Sequence, residues 1–216
     1  IEGEGTVGLI SYIRTDSKRI SEEAKEKAKE YIISEFTDSY YKAQESKAKK
    51  EDGKKVQDAH EAIRATSATR TPDSIKDSLS KDQYKLYNLI WRRFIASQME
   101  DAIFDTLNLT CSIGEVTFKA NGSKLKFDGY TKVYNFTDRE DKILPNVKEE
   151  DILNIKEIIP NQHFTQPPAR YTEASLVKTL EELGIGRPST YAPTIATILN
   201  REYVEKNGAS LRPTEL

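Results

Sequence analysis

The stretch Gly8-Leu9-Ile10-Ser11-Tyr12-Ile13-Arg14-Thr15-Asp16-Ser17 decides how the chain is organised, because an apolar run ends there abruptly. The residues from Val7 to Ile13 are apolar and β-branched enough to predict a buried strand, and Arg14 begins the polar stretch that ends it. Tyr12 therefore lies at the end of the predicted strand. Because alternate side chains of an extended backbone share one side, the phenol of Tyr12 and the guanidinium of Arg14 are expected to lie together.

A tyrosine beside an arginine suits phosphoryl transfer. The phenolate of Tyr12 would attack phosphorus, while the planar guanidinium of Arg14 would offset charge on the phosphate oxygens better than a lysine. The same pattern is more often a packed aromatic ring beside a surface charge. On this segment alone, both interpretations stay open.

Helical patterns follow this segment. Ser21 and the two glutamates after it predict the start of a helix that runs to about Phe36. Residues 58–64 are typical of a short helix or turn. A capping box at Ser80-Lys81-Asp82-Gln83 then predicts a long helix with one buried face. The expected buried positions of that helix are Leu86, Tyr87, Leu89, Ile90, Trp91, Phe94, Ile95 and Met99.

From about Ala102 the apolar residues alternate, which predicts β-structure. Asn121-Gly122 lies between alternating runs and predicts the two-residue turn of a hairpin. A further alternating run from Leu153 to Ile158 predicts another strand, after a polar linker at 137–151.

The helical period returns near Pro167-Pro168. Thr172 is the expected N-cap of one helix, and Gly184 is its expected stop. Ser189 is the expected N-cap of a second helix, from Thr190 to about Asn200.

A final hairpin over 203–211 is expected to turn on Asn207-Gly208. Helix, tight turn, helix and hairpin together resemble a winged helix-turn-helix. The predicted fold class is therefore multidomain α and β. Its predicted domains are a helical domain bearing Tyr12 (1–101), a β-rich domain (102–165) and a partial helical domain with the helix-turn-helix-like element (166–216).

Composition limits the class of protein. A net charge of −2 and a pI near 5.9 argue against bulk electrostatic coating of DNA, so any nucleic-acid contact must be local. The lysine-rich stretch 42–55 is either such a contact or a solvated loop. A single cysteine, Cys111, fits a reducing cytosol, and no apolar run approaches the ~18 residues that cross a bilayer. Because the sequence starts without Met or a signal peptide, it is interpreted as a piece of a longer, cytoplasmic protein.

Four segments, in order, resemble the motifs of type IA DNA topoisomerases, and specifically the bacterial topoisomerase I branch. The first is the Tyr12 segment, in which the usual Met or Pro after the tyrosine is replaced by Ile13 at a buried-looking position. The second contains His-Glu-Ala-Ile-Arg, followed by Ala65 where proline is common, a change expected to cost only some local order. The motif segments are 8–17, 57–64, 166–171 and 184–191.

The resemblance implies a role for each matching residue. Tyr12 would be the nucleophile that becomes linked to a DNA 5′-phosphate while the 3′-hydroxyl leaves, without ATP. Arg14 would contact the scissile phosphate, and His60 would donate to phosphate or position the cleaved strand. The implied DNA-binding residues are Arg187, Ser189 and Thr190 at a predicted helix N-terminus, together with Arg64 and Arg170, which are weaker candidates.

The resemblance also implies an architecture and partners. An N-terminal Toprim domain of the full-length enzyme would bind Mg²⁺, and no ligands for it are expected in this chain, so the isolated fragment should be inactive. The region 102–165 would belong to a β-rich arch, whose strand edge could pair two fragments. Expected partners are single-stranded or negatively supercoiled DNA, and no membrane. The alternative is a non-catalytic module that binds single-stranded nucleic acid, with Tyr12 merely packed.

Overall fold

The structure is a computed structural model that describes residues 5–43, 60–135 and 140–215. The chain divides into two compact units, Ile1–Glu149 and Glu150–Leu216, and each is described by itself. The finer division at 101 and 165 stays a prediction. Within the described ranges, no helix is long and apolar enough to cross a membrane.

Helix α1 of the first unit spans Glu22–Glu35 and confirms the helix predicted after Ser21. Ser21 has the extended backbone of an N-cap, although its side chain makes no capping hydrogen bond. One face of α1 is buried through Ala24, Ala28 and Ile32, at the four-residue spacing that places side chains on one side of a helix.

Helix α2, Lys81–Ala96, begins with the predicted capping box. The Gln83 backbone N–H donates to the Ser80 hydroxyl (3.3 Å), and the Ser80 backbone N–H donates to the Gln83 side chain (2.9 Å). The prediction that Leu86 and Leu89 are buried is wrong, since they are 55% and 43% exposed. The buried stripe runs instead along Tyr87, Trp91, Phe94 and Ile95, and a helix of 3.6 residues per turn places both leucines on the face turned away from it.

Helix α2 also holds the segment that follows residue 64. The Trp91 indole N–H donates to the Ala68 carbonyl (2.9 Å), and the Tyr87 hydroxyl donates to the Arg70 carbonyl (2.7 Å). Ala65 and Ala68 are buried in the same core. Burial raises the pKa of Tyr87 to about 12, because an ionised phenolate would lose its hydration there.

The predicted buried strand over 7–13 is wrong, and of the two alternatives for 58–64, a short helix or a turn, the helix is wrong for the described residues. Residues 7–13 do not form a buried strand: they make one isolated antiparallel bridge, Ile10 to Ala65, and Ile13 is 59% exposed. Within this run, Leu9 and Ile10 pack against the core and are partly buried, whereas Tyr12 and Ile13 are exposed. Residues 58 and 59 lie outside the described part, and residues 60–64 are not helical but bend at Ile63.

Strands β1, Ile103–Ile113, and β2, Val116–Phe127, form an antiparallel hairpin and confirm the change to β-structure. The predicted turn position is wrong. The chain turns at Gly114-Glu115, where Gly114 has φ +56°, and Asn121-Gly122 lies inside β2. Gly122 is required there because a Cβ would lie 2.8 Å from the Leu144 side chain and 2.9 Å from the Lys142 carbonyl oxygen.

The predicted strand from Leu153 to Ile158 is also wrong. Residues 151–170 are exposed and lack regular secondary structure, and Ile152 is 94% exposed. Alternation alone does not make a strand, since backbone hydrogen bonds require a neighbouring strand. In the described ranges, no strand pairs with this run.

The second unit contains α3, Glu173–Glu182, and α4, Pro188–Asn200. Thr172 is the N-cap of α3, as predicted, and its hydroxyl accepts from the Ser175 backbone N–H (3.1 Å). Gly184 has φ +71° and ends the helix as predicted. Ser189 is not the N-cap of α4: Arg187 is, because Pro188 takes the first helical position, where its missing N–H costs nothing.

A small hairpin completes this unit. Strands β3, Val204–Asn207, and β4, Ser210–Pro213, pair antiparallel and confirm the predicted hairpin. Its turn is Gly208-Ala209, one residue later than predicted, with φ +61° at Gly208. The Leu211 N–H donates to the Tyr171 carbonyl (2.7 Å), which joins β4 to the start of α3.

Candidate active site

Tyr12 is held at the surface by pairing between two distant segments. Residues 8–11 run antiparallel to 62–66, and Ile10 bridges Ala65. The Ser11 N–H donates to the Arg64 carbonyl (2.9 Å), and the Thr66 N–H donates to the Leu9 carbonyl (3.0 Å). The Tyr12 side chain immediately after this pairing is 63% exposed. Its phenol is therefore accessible to a large substrate.

The pairing brings His60 beside Tyr12, although the two residues are far apart in the sequence. Their ring centroids lie 6.2 Å apart, with the rings tilted by 38°. The His60 side chain is half-buried, and the chain beyond it is fixed because the Ala62 N–H donates to the Arg19 carbonyl (2.7 Å). A phenol oxygen can act as a nucleophile and an imidazole offers an N–H donor, so the arrangement places two chemically useful groups side by side.

Arg14 is exposed, but Tyr12 and Arg14 do not lie on one extended strand, so strand alternation does not place their side chains together. The backbone bends at Ile13 and Arg14, so the alternation of an extended strand does not govern the direction of these side chains. The stretch after the bend is fixed locally, where the Ser17 N–H donates to the Thr15 hydroxyl (3.0 Å). The role of Arg14 at phosphate stays a prediction.

Arg64 is engaged within the protein. Its Nε donates to the Glu61 carboxylate (2.9 Å), and its terminal nitrogens donate to the Ala65 carbonyl (3.1 Å) and the Ser21 hydroxyl (3.5 Å). Its guanidinium also lies 5.9 Å from the centre of the Phe94 ring. Burial pushes the pKa of Glu61 up, but hydrogen bonds from Ser21 and Arg64 outweigh it, and the pKa lies below its ordinary value.

The residues predicted to bind DNA in the second unit are exposed. Arg187, Ser189 and Thr190 occupy the N-cap and first turn of α4. The Thr190 hydroxyl accepts from the Arg187 N–H (2.8 Å), which fixes the start of the helix, and an Arg187 terminal nitrogen donates to the Gly186 carbonyl (2.7 Å). Arg170 is exposed in the irregular stretch before α3.

Comparisons with known proteins agree with the motifs and the fold. A family model described as DNA topoisomerase matches residues 4–216. The chain belongs to the DNA topoisomerase family. A solved structure of full-length topoisomerase I from Thermotoga maritima is similar to this topoisomerase chain, with 40% sequence identity and a TM-score of 0.77. The match covers 96% of this chain and 33% of that protein.

These matches confirm the resemblance to bacterial type IA topoisomerases that the four motifs indicate. The topoisomerase chain spans about a third of the length of the Thermotoga protein. The helices and small antiparallel sheets are consistent with a topoisomerase fragment.

Within the part of the chain that the structure describes, there is no candidate metal site. In residues 5–43, 60–135 and 140–215, no group of three or more His, Cys, Asp or Glu side chains converges to hold a metal ion.

Sequence reasoning missed three residues that build the site. Ser11 and Ser21 lie on the Tyr12 side of the pairing and Glu61 on the His60 side, and all three hydrogen bond to Arg64. Ser11 stands inside the first motif, but its partners, Ala62 and Arg64, lie on another segment, whereas Glu61 belongs to the same motif as its partner Arg64. Only the folded chain shows which atoms they meet.

Proposed function

We propose that this topoisomerase chain supplies the nucleophile of a type IA reaction, which cleaves one DNA strand transiently and relaxes negative supercoils without ATP. The Tyr12 phenol oxygen bonds to phosphorus, and the bond from phosphorus to the 3′-oxygen breaks. The phenolic proton is lost and the departing 3′-oxygen gains one. One phosphodiester is exchanged for another, so the reverse step reseals the strand.

The observation that carries this proposal is the exposed Tyr12 ring beside His60. A tyrosine that served only for packing would bury its ring, as Tyr87 does in the core. The pairing that presents Tyr12 also fixes the distance to an imidazole that can donate to phosphate.

The substrate we propose is single-stranded DNA or the unwound region of negatively supercoiled DNA. Arg14 would neutralise charge at the scissile phosphate, and the exposed first turn of α4, with Arg187, Ser189 and Thr190, would hold the backbone. Mg²⁺ bound elsewhere in the full-length enzyme would neutralise further charge, and the β1–β2 hairpin would belong to an arch. We place the enzyme in the bacterial cytoplasm.

The test is the variant Tyr12→Phe in the intact protein. Two activities are measured: relaxation of a negatively supercoiled plasmid, and formation of a covalent adduct between the protein and the 5′-phosphate of a single-stranded oligonucleotide that it cleaves. Loss of the nucleophile should reduce both by more than about a thousandfold, while the Kd for single-stranded DNA changes by less than about twofold. Tyr130→Phe is the matched control, because Tyr130 is another exposed tyrosine of the same unit.

A Tyr12→Phe protein that still relaxes DNA would contradict the proposal. If it also bound single-stranded DNA normally, the nucleophile would lie elsewhere in the intact protein, and this chain would be better described as its non-catalytic nucleic-acid-binding module. The isolated chain, assayed with Mg²⁺ and a single-stranded oligonucleotide, should form no adduct.

A further inference from the structure

The Ser11 hydroxyl connects the two segments that carry Tyr12 and His60. It donates to the Ala62 carbonyl (2.8 Å) and accepts from the Arg64 N–H (2.9 Å). A serine hydroxyl has one donor and two acceptor sites, so this side chain is used in both directions. The Ser11 backbone N–H adds a third hydrogen bond, to the Arg64 carbonyl (2.9 Å).

The position of Ser11 couples it to both rings. Its peptide continues directly into Tyr12, and Ala62, its acceptor, is two residues beyond His60. The hydroxyl therefore joins the segment that carries Tyr12 to the segment that carries His60, and the centroids of these two rings lie 6.2 Å apart. Ser11 itself is half-buried, so water competes less well for these hydrogen bonds than at an open surface.

We infer that Ser11 is a positioning residue that sets the Tyr12–His60 geometry for strand cleavage. This inference rests on the proposed function, in which Tyr12 attacks phosphorus. Without the hydroxyl, the segment remains attached through the Ser11 and Ala62 backbone hydrogen bonds. The chain should then stay folded while the rings lose their fixed separation, so the rate of cleavage falls and the affinity for DNA does not.

Thr66 offers a matched control. Its hydroxyl donates to the Gly8 carbonyl (2.8 Å), so it joins the same two segments, but at the end away from the rings. Thr66 is exposed. A purely structural role for Ser11 would make Ser11→Ala and Thr66→Val behave alike.

The experiment compares Ser11→Ala, Ser11→Thr and Thr66→Val in the intact protein. The first-order rate of covalent adduct formation is measured at saturating single-stranded oligonucleotide, and Kd is measured separately. Ser11→Ala should slow the adduct step by about ten- to a hundredfold with Kd unchanged within about twofold, as small misplacements of reacting groups do. Ser11→Thr keeps the hydroxyl and should restore the rate, and Thr66→Val should stay within about twofold of the natural sequence.

A double substitution tests whether Ser11 acts through His60. If it does, Ser11→Ala in a His60→Ala background should cost less than about twofold more, because the effects are not additive. The inference is overturned if Ser11→Ala forms the adduct at the same rate as Thr66→Val, or if Ser11→Thr fails to restore the rate. It is also overturned if the rate losses of Ser11→Ala and His60→Ala multiply in the double variant. If Ser11→Ala does not fold, Ser11→Cys replaces it, because a thiol forms weaker hydrogen bonds than a hydroxyl. Cleavage by Ser11→Cys at the rate of the natural sequence would equally overturn the inference.

Tyr12→Phe separates this inference from the proposed function. If Tyr12→Phe still forms the adduct, the proposed function fails. If Tyr12→Phe abolishes the adduct but Ser11→Ala cleaves normally, only the role of Ser11 fails.

Discussion

A terminal nitrogen of Arg64 lies 2.8 Å from the Glu61 carboxylate, and the two side chains are only 15% and 24% exposed. Removing the arginine leaves a partly buried carboxylate without its main partner. Arg64→Ala should therefore lower the free energy of unfolding by about 1–3 kcal/mol, measured by urea denaturation of the intact protein. In the double variant Glu61→Ala/Arg64→Ala the loss should be smaller than the sum of the two single losses, and strict additivity would contradict the coupling.

The same ion pair bears on the prediction that Arg64 binds DNA. An arginine that contacts a phosphate releases about one counterion when DNA binds. Its removal therefore reduces the slope of log K against log salt concentration, for binding to single-stranded DNA, by about 0.7. Arg187→Ala should show that change, because Arg187 is exposed at the start of α4. Arg64→Ala should leave the salt dependence unchanged, and a slope altered as much as for Arg187→Ala would restore Arg64 as a phosphate contact.

Glu61 should make the stability of the site depend on acid pH. Its pKa in the folded protein lies below the ordinary value of 4.5, since hydrogen bonds from Ser21 and Arg64 outweigh the effect of burial. A depressed carboxylate pKa contributes stability that is complete above the unfolded-state pKa and is lost as pH falls through the folded-state pKa.

The stability difference between the natural sequence and Glu61→Gln should therefore be constant near neutral pH and shrink below about pH 4.3. The measurement is the free energy of unfolding of both proteins from pH 7 to pH 3. Subtracting the two curves removes the contributions of the other carboxylates. A difference that grows toward acid pH would contradict the assignment.

Local signals predicted the helices well. Ser80 with Gln83 and Thr172 with Gly184 mark helix ends through hydrogen bonds between neighbours in the sequence, so the information is local. The Ser189 prediction failed because Pro188 competes for the start of α4 and fits its first position better.

The residues of the candidate site could be predicted from the motifs, but their geometry could not. The motifs identified Tyr12 and His60, and the structure brings them together. The Ser11 contacts depend on a segment about fifty residues away, which no local pattern encodes. Arg64 belongs to the same motif as His60, yet only its partners show that it braces the segment.

Gly122 shows why a turn signal can mislead. Asn-Gly favours a two-residue turn, but here Lys142 forms an antiparallel bridge with Ser123 of β2, and the N–H groups of these two residues donate to each other's carbonyls (2.9 and 3.0 Å). A side chain at 122 would meet the Lys142 carbonyl at 2.9 Å, and backbone cannot swing away as a flexible side chain can.

Gly122→Ala should therefore detach the 142–144 segment from β2 and destabilise the hairpin by about 1–3 kcal/mol, a typical cost of overpacking. Amide hydrogen exchange at Ser123 and Lys142 should accelerate, because each N–H loses the carbonyl it donates to. Asn121→Ala is the control, since Asn121 is the exposed neighbour in the same strand and should leave both amides protected. Equal protection in the two variants would mean that the close approach of the Lys142 carbonyl does not require glycine at position 122.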